Sequence, residues 1–270
     1  MIGLLLCGGL RANETPNPCS RDANPNDFTI FSYHEIAEKS ETLDSTYAVS
    51  PANFEAQMQW LVDQGHHFIT IDDIIDYRKH NRRLPGKAVL ITFDDGYQSV
   101  YANAFPVLRK YRIPAVIALV GSWLRAPDKV DFGGHLIDRS KFLKQHEIKE
   151  MVASGLVEVA SHSDFLHRGI LGNAQGNSQP AAVTRQWLPD QKAYEDGASY
   201  RSRIYADLKT NNDFLKEYTG QTPRVMVWPY GEYNTEVRKI AESLGMAVGL
   251  TLDDGGNTRN TPLWGLRRIL

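Results

Sequence analysis

The sequence predicts an α/β domain arranged as a distorted (β/α) barrel of about seven strands. Three observations carry that expectation. From Phe28 onward, short apolar runs alternate with stretches of helical period. The run 115–120 is apolar at every position, as a strand covered on both faces of a parallel sheet must be. The alternation repeats about seven times with no internal repeat and no second zone of composition, which favours a barrel over an open sheet. Periodicity leaves closure of the barrel undecided.

Each element has a local cause. Phe28–Tyr33 is the first strand and runs straight into His34 and Glu35. Ser50 before Pro51 fits an N-cap with proline at the first helical position; Phe54, Met58 and Leu61 follow at helical spacing, and Gly65 closes the helix. A short strand over 67–70 leads to a helix over 71–78, and the apolar run Ala88–Phe93 leads to a helix from about 99 to 111. After the strand 115–120 comes a loop of about twenty residues, a helix over 140–154 closed by Gly155, and a strand over 156–160. Residues 169–199 lack periodicity, and an irregular stretch of that length in a compact domain is usually functional or disordered. A helix over 200–218, a strand over 225–228, a helix over 234–244 and a strand over 247–250 continue the alternation, and 266–270 has the pattern of one more strand.

The chain ahead of the first strand has a different character. Residues 1–10 are nearly all apolar, and 11–26 are rich in Asn, Pro, Asp and Arg. Residues 1–26 are therefore expected to be a signal-like leader and linker, and 27–270 the folded domain. The apolar start fits a secretory signal cleaved near Leu10-Arg11-Ala12, against the alternative of a short leader with no role in export. Cys7 within it also fits a lipid anchor to the outer membrane. The expected location is periplasmic or secreted. The apolar segment is too short to span a bilayer, so no transmembrane segment is expected. Cys7 and Cys19 both precede the first strand, so no disulfide is expected inside the domain. With 42% hydrophobic residues, 23% charged residues, a net charge of -2 and no basic stretch, the composition is that of a globular protein that does not bind nucleic acid.

Polar residues that are hard to explain by packing share one address. His34 follows the first strand, Asp94 and Asp95 the third, His162 the fifth, Tyr230 the sixth, and Asp253 and Asp254 the seventh. In a parallel barrel every strand opens on the same face, where such folds place catalysis. The Asp94-Asp95-Gly96 turn has a plain alternative as a solvated turn, but a buried strand delivering two idle carboxylates would be costly. Asp95, His162 and His167 make a plausible metal triad. The two histidines are five apart, about 140° around a helix, so they converge only from an irregular loop. Two imidazoles and a carboxylate leave open positions on an ion, as hydrolytic metal sites require. Asp94 is then free as a general base, and His34 could protonate a leaving group or simply bond the backbone at a strand end. Trp228-Pro229-Tyr230-Gly231 could supply freed N–H groups for an oxyanion and an aromatic face for a sugar, or be an aromatic turn. Trp228, Tyr97 and Asp253 are the candidate substrate contacts. Asp131 and His135 sit in a Gly-rich loop that could line a groove, although a turn suffices to explain them.

Taken together, Thr92–Gly96, Ser161–His167 and Arg224–Gly231 resemble the ordered motifs of the polysaccharide deacetylases, carbohydrate esterase family four, also called NodB-homology domains. The likeness covers nearly all of the chain from Phe28. It is closest to the branch that deacetylates poly-β-1,6-N-acetyl-D-glucosamine in Gram-negative biofilms, through Tyr33-His34-Glu35, Val130-Asp131-Phe132-Gly133-Gly134, 176–180 and 185–190. In that branch the motif with the catalytic histidine is moved to the N-terminal end by circular permutation, and His34 stands at that place. The resemblance implies Asp94 as base, His34 as acid, Asp95, His162 and His167 as ligands of one divalent metal ion (zinc, nickel, cobalt or iron), and the Tyr230 backbone as oxyanion donor. It implies an N-acetylglucosamine polymer as substrate and an outer-membrane export porin as a partner. That branch also carries a C-terminal glycosidase-like domain, so 27–270 is expected to be a truncated piece or a protein without that half. The alternatives are a deacetylase of chitooligosaccharide or peptidoglycan, and a carbohydrate-binding domain without chemistry. The latter would be marked by a missing ligand or base, and none of the five positions is missing.

Overall fold

What meets at one end of this molecule is decided by the order in which its parallel strands pair. The computed structural model describes residues 28–270; the expected leader and linker, with Cys7 and Cys19, lie outside them. The main elements are β1 (Phe28–Tyr33), α1 (Pro51–Asp63), β2 (His67–Phe68), α2 (Ile71–Lys79), β3 (Ala88–Phe93), α3 (Phe105–Tyr111), β4 (Ala115–Leu119), α4 (Gly121–Arg125), α5 (Gln145–Ala153), β5 (Val157–Ser161), α6 (Gly197–Thr219), β6 (Val225–Val227), α7 (Thr235–Ser243) and β7 (Val248–Leu250). The seven-stranded sheet runs β1-β3-β4-β5-β6-β7, with β2 also paired to β3. Every pairing in it is parallel.

The expected strand over 266–270 is a bridging segment rather than a regular strand. Leu266 bridges to Leu250 and Ile269 to Phe31, both in parallel. The Leu266 N–H donates to the Gly249 carbonyl at 2.8 Å and the Ile269 N–H to the Ile30 carbonyl at 2.8 Å, so this segment joins β7 to β1 and closes the ring. Register aligns the strand ends: Tyr33 pairs with Phe93, and Leu119 with Ser161. His34, Asp94 and His162 are the next residues along and share one rim.

Side-chain alternation divides the core into two layers. Ile30, Leu90, Val116, Ala118, Ala160, Val227, Leu250 and Leu266 pack together inside the ring. Val89, Ile91, Phe93, Ile117 and Val159 face outward against Phe54 and Met58 of α1, Leu108 of α3, and Ile148 and Met151 of α5. On the remaining side, Tyr200, Ile204 and Leu208 of α6 and Val237 and Ala241 of α7 cover Met226 and Trp228. Helices start where the sequence supplies caps. The Ser50 side chain accepts from the Asn53 N–H, and Thr70 and Asp73 form a reciprocal capping box.

Three stretches differ from expectation. The helix expected from residue 140 begins at Gln145, because Arg139 donates to the Leu124, Phe142 and Leu143 carbonyls and holds 139–143 in a tight loop. The helix expected from about residue 99 opens with a π-helical turn over Val100–Ala104 before α3, which Phe105 and Pro106 begin. The aperiodic 169–199 is ordered as two antiparallel hairpins, Gly169–Leu171 with Ser178–Pro180 and Trp187–Leu188 with Ala193–Tyr194, and Asp196 then caps α6. Strands of two or three residues are too short to show a period. No helix of the described residues is long and apolar enough to cross a membrane.

Packing at Gly249 of β7 leaves no room for a side chain: a Cβ there would meet the Trp264 backbone and come within 2.7 Å of the Trp228 indole nitrogen. Gly249→Ala should cost about 1–3 kcal/mol by overpacking, checked by urea denaturation.

Candidate active site

The rim is built outward from the end of β3. The Asp94 N–H donates to the Tyr33 carbonyl at 2.9 Å, and the Gly96 N–H to the Asp94 carbonyl at 2.8 Å. Asp95 and Gly96 both take left-handed backbones, φ 70° and 72°. Aspartate tolerates that region better than most residues. At Gly96 a Cβ would approach Leu119 Cδ2 to 2.8 Å, so the turn also needs the missing side chain. The effect is to point two consecutive carboxylates in different directions.

Asp95 turns toward two histidines. Its Oδ1 lies 3.4 Å from Nε2 of His162 and 3.4 Å from Nε2 of His167. That separation is too long for a good hydrogen bond, and this buried oxygen has no hydrogen-bond partner. The His162 Nδ1–H donates to the Val227 carbonyl at 2.7 Å, which leaves the Nε2 lone pair free to face Asp95. Burial pushes the His167 imidazole down to about 4, keeping it neutral at pH 7. Burial opposes charge on Asp95 as well, but the adjacent histidines outweigh it and hold the carboxyl well below its usual range. One donor atom from each residue lies within 4.8 Å of the others. An orphaned oxygen and two free imidazole nitrogens at this spacing fit a divalent ion such as zinc, nickel, cobalt or iron.

The loop carrying both histidines is held by α6, a helix that offers no ligand. Asp207 accepts the Asp164 and Phe165 N–H groups, each at 2.8 Å, in the middle of the His162–His167 stretch. Asn211, one turn on, donates to the Leu119 carbonyl at 3.1 Å and to Ser161 Oγ at 2.8 Å, joining the ends of β4 and β5. Asp164 is clamped by Arg125, whose Nη2 reaches both carboxylate oxygens at 2.7 Å. The Ser163 hydroxyl accepts the Leu166 N–H. His167 itself stands between the rings of Trp123 and Tyr230, at 5.0 and 4.6 Å.

Asp94 has a different fate. Its two oxygens receive Nη1 and Nη2 of Arg268, each at 2.7 Å, in a fully buried fork. Burial would raise the Asp94 carboxyl, but the Arg268 guanidinium outweighs it and holds it below the ordinary carboxylate range. His34 Nε2 stands 4.0 Å from Asp94 Oδ2, with its ring beside that of Tyr47. So five of the expected residues, His34, Asp94, Asp95, His162 and His167, converge on one spot.

The expected substrate contacts are placed less uniformly. Tyr230 is half-exposed at the rim, with a left-handed backbone at φ 59°. Trp228 is buried, stacks on Tyr233 at 5.4 Å and donates its indole N–H to the Trp264 carbonyl, so it braces the site from behind. Tyr97 is likewise buried, stacked on Phe142 at 5.7 Å. Asp253 is exposed on the rim, and its carbonyl accepts the Arg268 N–H at 3.0 Å. Sequence reasoning missed Arg268, Asp207 and Asn211. Arg268 did carry a signal: it shares strand parity with the apolar Leu266, so it must point inward and find a buried partner. Asp207 carried none, since an acidic residue on a long helix is ordinary.

Comparison with known proteins follows from this geometry. Residues 81–249 match the polysaccharide deacetylase family model. The chain is 38% identical over 233 residues to the poly-β-1,6-N-acetyl-D-glucosamine N-deacetylase of Escherichia coli K12, covering 85% of this chain and 34% of that relative. It therefore spans about a third of that relative's length. To the enzyme of the same name from Staphylococcus epidermidis it is 27% identical over 256 residues, with 91% of this chain and 79% of the relative covered. The solved deacetylase domain of BpsB from Bordetella bronchiseptica is 39% identical and superposes with a TM-score of 0.81 over 91% of this chain and 96% of that one. A de-N-acetylase from Aggregatibacter actinomycetemcomitans is 31% identical, with a TM-score of 0.83 over 90% and 94% of the two chains.

Asp207→Ala leaves two loop N–H groups, one part-buried and one exposed, without their carboxylate. It should cost about 2 kcal/mol in urea denaturation and weaken cobalt binding by roughly ten-fold in calorimetry. Asp207→Asn isolates the charge. Burial pushes the Asp207 carboxyl up to about 6, above its unfolded value. The wild type should therefore lose stability relative to the Asn variant as pH rises from 4 through 6, and titration of the metal-free proteins by denaturant at both ends of that range measures it.

Proposed function

We propose that this chain, which belongs to the polysaccharide deacetylase family, hydrolyses N-acetyl groups of poly-β-1,6-N-acetyl-D-glucosamine. The observation that carries the reading is the unequal treatment of the two rim carboxylates. Asp94 takes one Arg268 donor on each oxygen, whereas Asp95 keeps a buried, unbonded oxygen aimed at His162 and His167. Such a division suits one carboxylate as base and the other as metal ligand. The names of the similar proteins supply the substrate.

Asp95, His162 and His167 would hold the ion, which when bound supplies a Lewis acid for the acetamide carbonyl and an acidified water. Asp94, ionised at neutral pH, takes the proton of the attacking water as its oxygen bonds to the carbonyl carbon. The Tyr230 backbone N–H is assigned to the developing oxyanion, supported by the position of its ring against His167. His34, 4.0 Å from Asp94, gives a proton to the glucosamine nitrogen as the C–N bond breaks. Acetate leaves, and the polymer gains an amine that is charged at neutral pH. Trp228 and Tyr97 act behind the surface, so Asp253 and the Tyr230 ring are left as the rim groups for sugar contact. A periplasmic or secreted location and an outer-membrane porin as recipient of the product complete the proposal, resting on the apolar leader and the family resemblance.

Asp94→Asn should lower acetate release from β-1,6-linked oligomers by about 10²–10⁴-fold in protein still folded by circular dichroism, though less stable because Arg268 loses its counter-charge, and chelation should silence the wild type until a divalent ion is returned. Retained activity in either case would overturn the mechanism. Faster release from β-1,4-linked oligomers would reassign the substrate to a chitin-like or peptidoglycan polymer.

Arg268→Gln tests the base directly. Asp94 works only when ionised, and Arg268 keeps it so toward acid pH. Without that charge only His162 and His34 oppose burial, the carboxyl rises, and the acid limb of the kcat/KM profile should move to higher pH. The variant should also lose about 3–5 kcal/mol of stability, because a buried carboxylate is left unpaired.

A further inference from the structure

Beside the metal triad, on the side away from Asp94 and His34, lies a cavity of about 330 Å³. Trp123, Asp131, Phe165, His167, Arg168 and Ser178 line it. From its position and lining we infer that this cavity is a subsite for a neutral N-acetylhexosamine unit adjacent to the one being deacetylated. The inference rests on the proposed polysaccharide substrate.

The reacting sugar must present its acetamido group to Asp94 and His34, and neither of these lines the cavity. His167 does, so whatever fills the cavity sits next to the reacting unit without being it. The walls come from three separate loops: α4, the hairpin of Lys129–Phe132 with His135–Asp138, and the stretch from the histidine loop to Ser178. A pyranose presents apolar C–H faces and a rim of hydroxyls, and the walls match both. Phe165 is 49% exposed and its backbone N–H is tied to Asp207 at 2.8 Å, so the loop presents an apolar ring at the surface. Arg168 lies over that ring, its guanidinium carbon 4.2 Å from the centroid, and offers donors beside it. Asp131 Oδ1 accepts the Gly134 N–H at 2.9 Å, which fixes the carboxylate, while no hydrogen bond among the described residues engages Oδ2. Arg168 and Asp131 balance each other, which suits a neutral acetylated unit better than a charged glucosamine. A β-1,6 linkage adds a rotatable CH₂ between rings, which lets the neighbouring unit turn past His167 into the cavity.

The test is chain-length kinetics of metal-loaded protein on β-1,6-linked N-acetylglucosamine dimers and pentamers, for wild type, Phe165→Ala and Asp131→Ala. The two variants lie on separate loops, so failure of one to fold leaves the other. Each should lower kcat/KM on the pentamer about five- to ten-fold, the equivalent of losing one aromatic or polar sugar contact. The loss should fall on KM for both oligomers, because either can place a unit next to the reacting one. Pentamer kinetics within two-fold of wild type in both variants would overturn the subsite alone. Equal falls in kcat on dimer and pentamer would also overturn it, because the residues would then act on the metal loop. Wild-type protein releasing no acetate from either oligomer would overturn the substrate reading and the subsite with it.

Discussion

The forked ion pair between Asp94 and Arg268 is the contact on which closure of the barrel and the chemistry at its rim both depend. It spans 174 residues of sequence and joins the end of β3 to the segment that bridges β7 and β1. As a source of stability it is weak, since removing two ions from water costs about as much as their attraction gives back. Its effect is on specificity. Arg268 also donates Nε–H to the Thr251 carbonyl at 2.7 Å, so the guanidinium is saturated only when the segment lies in one register. A slip by one residue would turn the exposed Arg267 into the core and leave Asp94 unpaired. The same pair that closes the ring therefore also fixes the protonation of one rim carboxylate.

The loop that carries His162 and His167, the proposed metal ligands, poses the opposite problem. Ligands five residues apart cannot lie on one helical face, and a loop has little rigidity of its own. The structure answers with α6, whose Asp207 and Asn211 tie down the loop and the two strand ends that feed it. The irregular insertion ahead of α6 thus reads as the connection needed to carry a long helix into that position. Gly121 belongs to the same arrangement, because a Cβ there would collide with the Asn211 and Asp164 side chains.

Much of this was legible in the sequence, and the parts that were not share a cause. Parallel strands announce themselves by apolar runs, and the residues just past their ends by polarity where packing would want none; that is how His34, Asp94, Asp95 and His162 come to be grouped before any coordinates are seen. Trp228 and Tyr97 show the limit of that logic, since aromatic residues beside a site can equally be its buried backing. Asp207 and Asn211 lie on a helix whose polar residues look like any solvated face, and only tertiary packing reveals that they point inward. Arg268 falls between these cases: its parity with Leu266 was visible, its partner was not. The hairpins within 169–199 were invisible because strands so short have no period to read.

Pairing the proposed base with arginine presents a chemical tension. Lowering the pKa of Asp94 guarantees that it is ionised, yet it also makes the carboxylate a poorer proton acceptor. Burial pulls the other way, and the two influences meet on one side chain. Full exposure would leave the carboxylate solvated and mobile; burial without Arg268 would favour its protonated form. With both, it stays charged, dry and fixed in direction, while each oxygen retains a second lone pair beyond the one directed at the guanidinium. In the proposed reaction the proton would come from a water acidified by a bound cation, so a strong base would not be required there. The weak but oriented carboxylate is thus matched to its donor, and its orientation is set by the last segment of the barrel.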